Sequence, residues 1–92
     1  MTKVIVTANV KNPEAWEAGF RSMGAMLSTI FVSPIHLGIH SDDNSFAYLA
    51  EVEDVDQFLS MINSEKAYNA QKENGVIDGT IRYYVLDKLC EF

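Results

Sequence analysis

The sequence has 92 residues, 48% of them hydrophobic, and thirteen acidic against seven basic side chains give it a formal net charge of −6. That length suits one domain over residues 1–92 rather than two. The acidic balance, with no cluster of Lys or Arg, argues against a nucleic-acid partner, and no apolar run approaches the roughly 20 residues needed to span a membrane.

The opening stretch alternates. Val4, Val6, Ala8 and Val10 share one face of a strand expected over Lys3–Val10, with Ile5, Thr7 and Asn9 on the other. Such alternation differs from the continuous apolar core of a secretory leader. Asn12-Pro13 then predicts a helix start, an Asx cap followed by proline in the first turn. Glu14 and Glu17 complement the positive end of the helix dipole. Trp16, Phe20, Met23, Leu27 and Ile30 recur at spacings of four, three, four and three, which is one apolar stripe along that helix. Gly19 and Gly24 lower its intrinsic propensity, and a glycine in this setting often allows a close approach. Ser33-Pro34 is expected to close the helical region, because proline disfavours helical geometry in the residue before it.

Ile35–His40 alternates again, Ser41–Ser45 has the composition of a turn, and Phe46–Val52 reads as a third strand, so the three form a hairpin. A second helical region starts near Asp54, carries Val55, Phe58, Leu59 and Ile62 on one side, breaks at Asn63-Ser64 and stops at Asn74-Gly75. A last strand is expected over Thr80–Leu86. The order β-α-β-β-α-β predicts an α+β, ferredoxin-like fold: a four-stranded antiparallel sheet with both helices on one face. The apolar content is generous for so small a chain, and pairing of two copies is a common way to bury the excess. Cys90 is the only cysteine, which rules out an intrachain disulfide or a cysteine-built zinc site and accords with a reducing, cytoplasmic setting.

Residues 10–20, VKNPEAWEAGF, and residues 51–76, EVEDVDQFLSMINSEKAYNAQKENGV, resemble the two halves of the dimeric α/β-barrel superfamily. The resemblance implies a homodimer in which two sheets pair into a barrel, and it suggests a cavity. Families of this fold include cofactor-independent oxygenases acting on polyketide quinols, haem-degrading monooxygenases, and small cyclases and isomerases. The haem-degrading members resemble this chain in an Asn near the end of the first strand, here Asn9, but they also carry a His on the second helical region. Residues 54–75 contain none. No haem is therefore expected, nor any other cofactor.

Strand parity sorts the sheet residues into an apolar set, beneath the helices, and a mixed set that includes Thr7, Asn9, His36, His40, Glu51, Arg82 and Tyr84. The mixed set is expected to face the partner subunit. His36 and His40 are the only histidines and the only side chains with an ordinary pKa near neutrality, which makes them the candidates for proton transfer. Four residues apart on a strand, their backbones are about 13 Å from each other, too far for a shared metal. Read structurally, the two are polar residues discouraging association at an exposed edge. Asn9 and Tyr84 could orient a ligand oxygen and Arg82 could pair with an anion; interface hydrogen bonds and a solvated charge are the alternatives. Trp16 and Phe20 read as core, and Met23 and Met26 as core filler.

Three functions fit: a homodimer binding a small organic molecule in an apolar cavity; a cofactor-independent monooxygenase or an isomerase- or cyclase-type enzyme; and a structural or regulatory dimer without a ligand. The RNA-recognition pattern, the CxxC of a metal-transfer module and the glycine-rich nucleotide loops are all missing from the sequence.

Overall fold

In the computed structural model, which describes residues 2–88, 90 and 91, alternation does build the first strand, β1 (Thr2–Asn9), with Val4, Val6 and Ala8 buried. Helix α1 (Pro13–Ser22) begins as its composition requires. The Asn12 side chain accepts hydrogen bonds from the backbone N–H groups of Glu14 and Ala15, and Pro13 opens the first turn. The helix stops at Met23, and a four-residue helix α2 (Gly24–Leu27) follows. The apolar stripe nevertheless carries on across the break, with Trp16, Leu27 and Ile30 buried and Phe20 and Met23 packed against them.

The next strand starts earlier than proline chemistry predicts. β2 (Phe31–His40) runs through Ser33-Pro34 instead of beginning after it. It pairs with β3 (Ser45–Val52), and the register shifts between Val32 and His36, where four steps along β2 match two along β3. A proline is tolerated here because β2 is an edge strand and the residue sits in a bulge, where no ladder donor is required. The two surplus residues are an even number, so the bulge leaves the faces unswapped and Leu37 and Ile39 still point to the helix side.

Helix α3 (Val55–Ile62) is capped by Asp54 and buries Phe58 and Ile62. Helix α4 (Glu65–Glu73) is capped by Ser64 and ends at Asn74-Gly75, where Gly75 takes φ +83°. Val76 bridges to Val10, and β4 (Arg82–Leu86) completes the sheet. The strand order is β2-β3-β1-β4, with antiparallel pairing throughout.

Both helical regions cover the same sheet face. Trp16 of α1 stacks on Phe46 with ring centroids 3.8 Å apart, and Phe58 of α3 meets Phe31 at 5.9 Å and Tyr83 at 6.1 Å. This is the expected ferredoxin-like α+β fold, with each helical region divided into two helices. Among the described residues, no helix lies over the opposite face. Its residues form cross-strand rows: Tyr84–Ile5–Leu49–His36 near the middle, then Arg82–Thr7–Ala47–Gly38, then Asn9–Ser45–His40 towards the hairpin turn.

Candidate functional site

Two concave regions lie on opposite sides of the sheet. The uncovered face carries all five candidate site residues, His36, His40, Asn9, Tyr84 and Arg82. His40 and Asn9 come together there, on the walls of a shallow basin of about 420 Å³ that Thr7, Ser45 and Thr80 also line. His40 Nδ1 is 3.0 Å from Asp43 Oδ1, and the same oxygen accepts a hydrogen bond from Ser45 Oγ at 2.5 Å. The Ser45 hydroxyl holds the Asp43 carboxyl below its usual range; desolvation opposes this and His40 adds to it. Asn9 ties this turn down. Its side-chain amide donates to the Asp43 carbonyl oxygen at 3.2 Å, and its backbone N–H donates to Thr80 Oγ1 at 3.1 Å.

The other three stand outside the basin. His36 and Tyr84 are exposed at opposite ends of the middle row, separated by Ile5 and Leu49. Arg82 stands beside Thr7, with its guanidinium donating to the carbonyl oxygens of Gly79 and Ile81 at 3.0 and 2.9 Å. Among the described residues, no group of three or more His, Cys, Asp or Glu side chains is arranged to hold a metal ion.

The second region is a pocket of about 70 Å³ between the helices and the sheet. Its walls are the rings of Trp16, Phe20 and Phe46 and the flexible side chains of Met23, Met26 and Met61. Parity placed the sheet residues of this pocket in the apolar set but gave no sign of a site. Three polar side chains reach it: Tyr48 from β3, and Gln71 and Asn74 from the end of α4. Tyr48 is only 7% exposed, and burial pushes its phenol far above the ordinary tyrosine range. Among the described residues, none of these three side chains forms a hydrogen bond within the protein; the Asn74 backbone N–H donates to the Ala70 carbonyl oxygen as α4 ends. Among the described residues, no charged one lines the pocket.

Asn74 owes its place to Gly19. A β-carbon on that glycine would lie 2.7 Å from Asn74 Cγ, so the bare backbone of α1 is what leaves room for the carboxamide. The expected close approach at Gly19 is therefore real, and its partner is a side chain. Two signals of this site were open to sequence reading: Gly19 interrupts the apolar stripe between Trp16 and Met23, and Tyr48 carries a hydroxyl on the apolar face of its strand.

No family model matches the chain, and no curated protein does. Solved structures do. SnoaB, a cofactor-independent oxygenase from Streptomyces nogalater, is similar with a TM-score of 0.69 at 16% identity, over 98% of this chain and 94% of that one. This chain has the ferredoxin-like fold of these structures. An antibiotic biosynthesis monooxygenase matches with a TM-score of 0.65 at 15% identity, over 98% of this chain and all of that one. A dimeric ferredoxin-like protein from an uncultured marine organism matches with a TM-score of 0.62 at 9% identity, over 100% and 98%. Among the described residues, no helix is long and apolar enough to cross a membrane.

Proposed function

We propose that the protein is a homodimer that binds a small, mainly apolar organic molecule in the pocket between the helices and the sheet. The observation behind this reading is the pocket itself: aromatic and methionine walls with a few convergent polar groups, the usual make-up of a small-molecule site. Its volume is about half that of an engineered cavity of about 150 Å³ that admits benzene. A ring-sized guest therefore requires Met23, Met26 and Met61 to shift, which unbranched thioether side chains do at small cost. The dimer is supported by the uncovered middle row, where Ile5 and Leu49 stand without a helix over them, and by the dimeric neighbour of the same fold.

Trp16 is the only tryptophan and lines the pocket, so its fluorescence reports occupancy. Titration with single-ring aromatic probes should change its emission saturably. Replacing Ala70, which also lines the pocket, by Leu should abolish that change while the circular dichroism spectrum stays native. Probes that leave the emission unchanged, or that bind the Ala70→Leu variant equally well, would refute the reading.

A second reading, a cofactor-independent oxygenase or an isomerase- or cyclase-type enzyme, is favoured by the basin on the uncovered face. There His40 would accept a proton, with Asn9 beside it to orient a substrate oxygen, and His36, Tyr84 and Arg82 would act from neighbouring rows. Oxygen uptake with an aromatic quinol as probe tests it. Uptake that is unaltered in both His36→Ala and His40→Ala would remove the histidines from the chemistry.

A further inference from the structure

The pocket under the helices combines a tyrosine that is 7% exposed with two carboxamide residues and, among the described residues, no charged one. A polar atom on a side chain this well covered normally finds a partner within the protein. Yet the Tyr48 side chain, with 7% of its surface exposed, has no hydrogen bond among the described residues. Among the same residues, no fully occluded side-chain polar atom lacks a partner, so the hydroxyl opens onto accessible space. Gln71 and Asn74 bring amide groups that both donate and accept, and Gly19 keeps the Asn74 group in place.

We infer that this pocket selects uncharged ligands that present a hydrogen-bond acceptor, such as a carbonyl oxygen, to the Tyr48 hydroxyl. The inference rests on the proposed binding pocket and adds what the ligand must carry. A phenol kept neutral by its surroundings retains its O–H, and a phenol donates a stronger hydrogen bond than it accepts, so a ligand acceptor is its best complement. A carboxylate guest would have to leave water for walls holding no Lys, Arg or His, a large desolvation cost without a compensating charge. The apolar walls take the ligand's body, and the carboxamides accept a second neutral polar group.

The test uses three single-ring probes of similar size on the intact protein: ethylbenzene without an acceptor, acetophenone with a neutral carbonyl, and benzoate with a charge. Binding is followed by isothermal titration and by ligand-observed NMR. Tyr48→Phe should weaken acetophenone about tenfold, the effect of one lost hydrogen bond. It should leave ethylbenzene unchanged or slightly tighter. Benzoate should bind the wild-type protein at least tenfold more weakly than acetophenone does. The melting temperature of the Tyr48→Phe protein should hold or rise, because the deleted hydroxyl has no partner in the protein to lose. A drop in melting temperature would place that bond inside the protein and overturn the inference. So would an acetophenone affinity unaffected by Tyr48→Phe, or a benzoate affinity equal to that of acetophenone. Failure of all three probes to bind would overturn the pocket reading itself, and the inference with it.

Discussion

The carboxamide of Asn74 rests against the bare backbone of Gly19, with Asn74 Cγ 2.7 Å from where a β-carbon on that glycine would stand. Two helices that are far apart in sequence thereby meet through a missing side chain on one and a capping residue on the other. The two positions should be energetically coupled. Gly19→Ala should destabilise the protein slightly or leave it unchanged, because up to about 1 kcal/mol of helix propensity is spent on moving the amide. In an Asn74→Ala background the same substitution should stabilise by up to about 1 kcal/mol. Urea unfolding of the four proteins measures the cycle. The same sign in both backgrounds would mean that the contact carries no weight.

Gly75, one residue on, closes α4 with φ +83°. Any residue with a β-carbon is strained in that conformation by about 1–2 kcal/mol. Gly75→Ala should lower stability by about that amount in denaturant melts. The nearest atom to the new methyl, Lys11 Cβ at 3.7 Å, is at ordinary contact distance, so the loss would come from the backbone and not from crowding.

The turn between β2 and β3 should titrate in a defined direction. With Ser45 bonded to it and His40 beside it, Asp43 has a folded pKa below its ordinary value of 3.8. Such a carboxyl adds stability above its unfolded pKa, and the contribution disappears as the pH falls through the folded value. Carboxyl NMR should give Asp43 a midpoint below 3.8 in the wild-type protein and a higher one in Ser45→Ala, and any stability difference between the two should vanish at strongly acidic pH. An Asp43 midpoint that does not respond to loss of the Ser45 hydroxyl would contradict the assignment.

The proposed dimer makes a prediction about the middle row of the uncovered face. Leu49 has Ile5 and His36 as its cross-strand neighbours, and its side chain is partly exposed in the single chain. Leu49→Arg should shift sedimentation equilibrium from dimer to monomer by placing two charges where the copies meet. A dimer of undiminished strength in that variant would show that the copies associate elsewhere.

Local chemistry made most of this fold legible. Asn12-Pro13, Asp54, Ser64 and Gly75 mark helix ends through hydrogen bonds and backbone angles that each residue type dictates for itself. Pro34 misled, because proline ends a helix and also fits an edge strand at a bulge, and only the sheet order distinguishes the two. Ile30 prolonged the helical rhythm past its true end, since a turn can keep the same burial spacing as a helix. The candidate sites divide along the same line. Parity found the polar residues of the uncovered face, because alternation is a property of one strand. The pocket under the helices draws on two strands and four helices, and no single segment carries its pattern. Asn74 in particular looks like nothing more than a helix stop until Gly19 is brought against it.

Pro34 and the bulge around it have a consequence beyond where β2 begins. A bare outer strand invites other chains to add on one after another, the route to open-ended filaments. At position 34 there is no N–H to offer, and the surplus residues break the even spacing a newcomer would have to match. Growth along that rim is disfavoured, whereas two copies meeting face to face would make a closed unit that stops at two. A chain this rich in β-branched and aromatic residues thereby keeps its own concentration from becoming a hazard.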